Sequence, residues 1–133
     1  MAIANVKATF PCEVQKVWDI VTSLDNYAWR SDVKSIYVLS DEIFVEYSND
    51  DFATVFTITV SEPCKRWEFE ILNNNIKGYW TGIFSEENGM TTIDFTEKAT
   101  SSSLFMKPFV KKFLEKQQAQ YIADLQKACL NLT

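Results

Sequence analysis

The chain has 133 residues, 47% hydrophobic and 14% aromatic, with a net charge of −5, which fits one globular domain with a single core and many Phe, Tyr and Trp to fill it or to wall a pocket. That charge argues against a nucleic-acid groove, because phosphate binding needs clustered Lys and Arg. The absence of histidine removes Ser-His and Cys-His nucleophile pairs, so acid or base chemistry would fall to Asp, Glu, Tyr, Lys or Cys with a shifted pKa.

Residues 3–10 alternate mildly and end at Phe10-Pro11, reading as a strand. From Cys12 to Thr22 the spacing of Val14, Val17, Trp18 and Val21 predicts an amphipathic helix with Trp18 in the core. SLDNYAWRSD, residues 23–32, sets turn formers around Tyr27 and Trp29 and suggests a second short helix or a wound loop. Six strands are predicted next, at Val33–Leu39, Glu42–Ser48, Ala53–Ser61, Lys65–Leu72, Ile76–Ser85 and Met90–Thr96. Asn73-Asn74-Asn75 and Asn88-Gly89 mark hairpins, since Asn and Gly tolerate positive φ. Ala99 to Phe105 reads as a loop.

Pro108 is tolerable in a first turn, which starts a long helix near Lys107 and runs it to Leu130. Met106, Phe109, Val110, Phe113, Leu114, Tyr121, Leu125 and Cys129 fall on one broad face, with Lys111, Lys112, Glu115, Lys116 and Asp124 elsewhere. The cluster Lys107, Lys111, Lys112 and Lys116 reads as a solvated face. No apolar run approaches the roughly 18 residues of a spanning helix, and MAIANVKATF lacks a signal peptide's layout, so a cytoplasmic protein without an integral membrane segment is expected. Cys12, Cys64 and Cys129 are read as free thiols, because they fit neither a zinc pattern nor a disulfide framework. No glycine-rich phosphate loop is present, and no metal or cofactor is expected.

Phe10-Pro11 followed by Lys16-Val17-Trp18, then Trp29, the hairpin Gly89-Met90-Thr91-Thr92-Ile93 and Asp124-Leu125-Gln126 stand in an order that resembles the START-related (SRPBCC) superfamily. That superfamily includes plant pathogenesis-related allergens and bacterial polyketide cyclase or dehydratase-like proteins, and the resemblance covers nearly the whole chain. It implies an α+β helix-grip fold over a single domain, residues 1–133. A curved antiparallel seven-stranded sheet would wrap a long C-terminal helix, with two short helices after the first strand and an apolar cavity between sheet and helix. It also implies lipid-like or polyketide-like ligands, with enzymatic activity in some members. Two departures are visible: Cys12 stands where a polar capping residue is common, and Gly89-Met90-Thr91 where Gly-Thr is more usual.

Strand alternation places Trp67, Phe69 and Ile71 on one face, with Phe56, Ile58 and Val60, and Ile93 and Phe95, on the corresponding faces of their own strands. In the sixth strand Ile76, Gly78, Trp80, Gly82 and Phe84 share a face. Two glycines there serve either to bend the sheet or to leave ligand space beside Trp80. The expected ligand wall is Tyr27, Trp29, Phe56, Trp67 and Phe69, continued by Trp80, Phe95, Phe109, Phe113 and Tyr121.

Asp94, Glu97, Glu46 and Tyr79 are the only acid or base candidates. Charged strand residues usually face solvent, so no catalytic set is assigned. Three readings follow. The favoured one is a binder of a small hydrophobic or amphipathic molecule, oriented by Tyr121, Gln117 or Thr81. The second is a cyclase or dehydratase-like enzyme using a buried carboxylate or tyrosine. The third is an interaction module presenting Val55, Tyr79 and Ile83 on the outer sheet face.

Overall fold

The chain was analysed as a computed structural model that describes residues 1–130; the last three positions of the expected 1–133 domain lie outside the described residues. Strand β1 (Ala2–Phe10) leads through Pro11 into helix α1 (Val14–Thr22). Strands β2 (Val33–Val38), β3 (Ile43–Ser48), β4 (Ala53–Glu62), β5 (Arg66–Leu72), β6 (Ile76–Glu87) and β7 (Met90–Ser101) follow. A 3₁₀ turn at Lys107–Phe109 opens helix α2 (Val110–Leu130). Pro108 sits in that opening turn, where a missing N–H costs nothing.

The strands form one antiparallel sheet in the order β1-β7-β6-β5-β4-β3-β2. Strands β2 to β7 are thus a meander of neighbours, and only β1 returns from far along the chain to pair with β7. Irregularities in register at Val33/Ser35 and Ile58/Val60 add local bending. Helix α2 crosses this sheet and packs chiefly against β1. The seven-stranded sheet with its long C-terminal helix is the expected helix-grip α+β fold.

Two hairpin features justify their residues. Asn88 and Gly89 hold φ of 54° and 78°, the left-handed region that Asn and Gly accept at least cost. Thr91, fully buried, donates its hydroxyl to the Cys12 carbonyl at 2.6 Å and so ties this hairpin to the start of α1. In α1 the buried side chains are Val17, Trp18 and Val21, and Trp18 meets Phe84 edge-on at 5.0 Å.

Three expectations change. A single short helix follows β1, because residues 23–32 wind through turns in which Ser23 Oγ accepts the Asn26 N–H and Tyr27 O accepts the Arg30 N–H. Ser, Asp and Asn side chains compete for backbone groups in this way and disfavour a continuous helix. The last strand runs on to Ser101, since Ala99 pairs with Gly78 and Ser101 with Ile76, so the loop begins at Ser102. Asp124, expected off the apolar face of the last helix, is buried: Oδ2 accepts the Ser31 N–H at 2.9 Å and hydroxyl at 2.8 Å, and Oδ1 accepts from Gln120. Burial opposes its charge, but these bonds hold its carboxyl below the usual range.

The cysteines are free, and burial pushes the Cys129 thiol up to about 12. No helix among the described residues is long and apolar enough to cross a membrane.

Candidate functional site

Between the concave face of the sheet, the 23–32 loop and α2 lies a cavity of about 400 Å³. Its apolar wall comes from alternate residues of neighbouring strands. Phe56, Trp67, Phe69, Trp80 and Phe95 all face inward, joined by Phe44. The rings interlock: Phe44 and Phe56 stack at 4.9 Å, Phe69 and Trp80 stack at 4.7 Å with planes 5° apart, and Trp67 meets Trp80 edge-on at 6.0 Å. Tyr27, Trp29, Phe113 and Tyr121 close the side formed by the loop and α2. Trp29 and Tyr121 meet edge-on at 5.3 Å, and Phe113 is 53% exposed, which places it at the rim.

Phe109 does not belong to this wall. It projects to solvent beside Phe105, with ring centroids 6.3 Å apart, because the first turns of α2 lay Val110 and Leu114 on Ala4 and Ala99 of the sheet and so turn Phe109 outward. Gln117 and Tyr121 line the cavity, whereas Thr81 pairs with Glu68 on the outer face and cannot orient a ligand within it.

The two strand glycines have separate reasons. A Cβ at Gly82 would fall 2.6 Å from Cζ3 of Trp80 and 3.2 Å from Phe95, so the indole occupies the room that Gly82 leaves. A Cβ at Gly78 would stand 2.7 Å from the Lys98 carbonyl oxygen and 3.1 Å from the Ala99 side chain, so this glycine permits close approach of β7. The gap beside Trp80 is therefore filled by Trp80 itself, and the cavity lies over the stacked rings.

The polar part of the cavity is the larger surprise. Glu46 follows Phe44 by two residues and Glu97 follows Phe95 by two, so both carboxylates share the inward face and line the cavity. The expectation that both face solvent is corrected. It holds for Asp94, which lies near Lys7 and accepts from Asn5, and Tyr79 also points outward, its hydroxyl at 2.6 Å from both Glu68 and Thr59. That hydroxyl bond and Arg66 lower the Glu68 pKa, and burial raises that of Tyr79. The outer trio Val55, Tyr79 and Ile83 is consequently interrupted by a satisfied polar network.

Arg30, which no pattern in the sequence singled out, organises the inner set. Its guanidinium is bidentate to Asp32 at 3.0 and 3.1 Å and reaches Glu46 at 3.3 and 3.4 Å. It also lies over the Tyr121 ring at 4.9 Å and the Trp29 ring at 5.8 Å. Only 13% of the Arg30 side chain and 16% of that of Glu46 reach solvent, and both line the cavity. Burial works against the Arg30 charge, but Glu46, Tyr121 and Asp32 more than offset it. For Glu46 burial prevails over the pull of Arg30 and raises its pKa, and burial likewise pushes Tyr121 up, so its phenol stays protonated.

Glu97 has no hydrogen-bond or ion-pair partner among the described residues. It stands in register between Ala4 of β1 and Trp80 of β6, and burial, helped by Glu46, raises its carboxyl to about 7. The indole Nε1–H of Trp29 is also buried without a partner among the described residues. The site thus pairs an aromatic wall with one carboxyl that is half protonated near neutral pH and one unsatisfied donor.

No family model matches the sequence, and no curated protein matches it. Solved structures do. A START superfamily protein from Mycobacterium smegmatis is 13% identical over 100% of both chains, with a TM-score of 0.86. The protein XoxI from Bacillus cereus is 14% identical over 99% of this chain and 98% of its own, with a TM-score of 0.85. DynU16, a protein of the dynemicin biosynthetic locus, is 13% identical over 96% of this chain and 46% of its own, with a TM-score of 0.74. At such identities the likeness is one of fold, and the chain has the fold of the START superfamily.

Proposed function

We propose that this START-fold chain binds a small amphipathic molecule, its apolar body against Phe56, Trp67, Phe69 and Trp80 and its polar end at Glu97. The observation that carries this reading is the cavity itself: about 400 Å³ falls in the range of small-molecule pockets, and its wall joins a continuous aromatic and aliphatic surface to a separate set of polar side chains, as an amphipathic ligand requires. Arg30 already serves two carboxylates, whereas Glu97, Gln117 and Tyr121 line the cavity with side chains that hold no hydrogen bond among the described residues and are left to meet a ligand. Near pH 7 the Glu97 carboxyl can donate as an acid or accept as a carboxylate.

The test uses a neutral fluorescent probe, N-phenyl-1-naphthylamine, and a variant that fills the cavity from the edge of the sheet. Ile36 lines the cavity from the edge strand β2 and is only partly buried against the aromatic cluster, so Ile36→Trp adds bulk at the cavity's edge. Saturable probe binding by the native chain, weakened about tenfold or more in Ile36→Trp at unchanged melting temperature, is the expected result. Absence of saturable binding by the native chain would count against the reading.

Glu97 favours one alternative, a cyclase or dehydratase-like enzyme. A carboxyl with a pKa of about 7 in an apolar site suits a general base, and the protonated Tyr121 hydroxyl could donate to a carbonyl oxygen as the base takes the adjacent C–H proton. Under this reading, solvent deuterium enters the α-carbon of a cavity-bound aryl ketone such as acetophenone. The exchange should vanish in Glu97→Gln while N-phenyl-1-naphthylamine still binds. Equal exchange in the native chain and the variant would remove Glu97 from that role.

A further inference from the structure

A second feature lies on the outside of the molecule. Within ten residues, Leu104 (81% exposed), Phe105 (78%), Met106 (47%), Phe109 (53%) and Phe113 (53%) all project into solvent. Scattered exposed apolar residues are ordinary, but a contiguous set of this size marks a contact surface. Its flanks are basic. Lys107, Lys111, Lys112 and Lys116 are exposed, and Glu115 is the one acidic residue from 104 to 116, in a chain whose net charge is −5. Four of the 13 Lys and Arg of an acidic protein thus stand beside this exposed apolar set.

Geometry joins the two. At about 100° per residue, Phe109, Phe113, Lys112 and Lys116 fall within about 100° of one another around the helix, away from the buried Val110 and Leu114. Phe105 and Phe109 stand together at the tip, 6.3 Å between centroids, on a turn held by the Met106 and Lys107 N–H groups bonding to Ser103 O. Rings project while lysines flank them, the arrangement that lets aromatic side chains enter a lipid headgroup layer as long basic side chains reach its phosphates. A second copy of the chain would fit less well, because a two-fold contact here would bring the lysine clusters together.

We propose that residues 104–116 dock on an anionic membrane surface. The docking face adjoins the cavity, because Phe113 and the nearby Gln117 also line it, so a bilayer would lie at the rim from which an amphipathic ligand enters. The inference stands on the outer surface and does not depend on what the cavity holds.

Co-sedimentation of the full chain with vesicles tests it, comparing pure phosphatidylcholine with phosphatidylcholine containing phosphatidylglycerol. Binding is expected to the anionic vesicles, to fall with added salt, and to weaken at least about tenfold in Lys112→Glu/Lys116→Glu. Phe105→Ser/Phe109→Ser should lose it comparably. All four positions are exposed, so the variants should melt like the native chain, and N-phenyl-1-naphthylamine binding inside the cavity should be unchanged. Failure of the native chain to bind anionic vesicles, or binding retained in both variants, overturns the proposal. So would a native dimer in sedimentation velocity that Phe105→Ser/Phe109→Ser breaks, because a second copy would then cover this surface.

Discussion

Replacing Arg30 by methionine is expected to lower the unfolding free energy by about 3–5 kcal/mol at pH 7, the cost of stranding the partners of an enclosed ion pair. Arg30 is the only cation among the charged groups of the cavity wall, which also holds Asp32, Glu46 and Glu97. Without it, three carboxyls face one another and the Tyr121 ring loses the cation above it. The loss should shrink as pH falls, since burial raises the Glu46 carboxyl and favours its protonated form. Arg30→Met/Glu46→Leu should recover part of the stability, because removing both partners leaves fewer unpaired charges. Urea denaturation followed by tryptophan fluorescence measures all three quantities. A loss below about 1 kcal/mol for the single variant would mean that the set is solvated like a surface pair.

Glu97→Gln should act in the opposite direction. The carboxyl titrates at about 7 in the folded chain against an ordinary value of 4.5. Between those values the native state holds a proton that the unfolded chain has released, so its stability falls as pH rises through this window. The penalty is absent below about 4.5, complete above about 7, and at most about 3.4 kcal/mol at 1.36 kcal/mol per pH unit. Glutamine cannot ionise. The variant is expected to match the native chain near pH 4 and to exceed it in urea resistance near pH 8. A difference that stays flat from pH 4 to 8 would show that Glu97 is ionised normally in the fold.

The architecture was legible because its cues are local. Asn88-Gly89, the alternation in Arg66–Leu72 and Pro108 at the opening of the last helix each report on their own few residues, and hairpins between successive strands convert that into a sheet. The aromatic wall followed from the same parity. Glu46 and Glu97 had equally clear parity with Phe44 and Phe95, yet the general preference of charged strand residues for solvent outweighed it. The cavity position of Glu46 makes sense only with Arg30 present, and nothing near Arg30 in sequence announces its place. The 23–32 loop is fixed by Ser31 bonding to Asp124, 93 residues away. Phe109 was misplaced for a related reason: periodicity defines a broad apolar face of a helix but not which part of it meets the sheet, and here Val110 and Leu114 do.

The pairing of the first strand with the last has a kinetic consequence. Every other strand pair joins neighbours in sequence, whereas Ala2 meets Ala99, so closing that ladder costs the chain entropy of nearly its whole length. Helix α2 packs chiefly on β1, and its Gln118 donates to the Ala4 and Phe95 carbonyls. The β2–β7 meander is therefore expected to assemble first during synthesis, with its aromatic face open to water until β1 docks beside Glu97 and α2 settles over it. A chaperone that recognises exposed aromatic strands would meet the chain in that interval, and a destabilised β1 would prolong it.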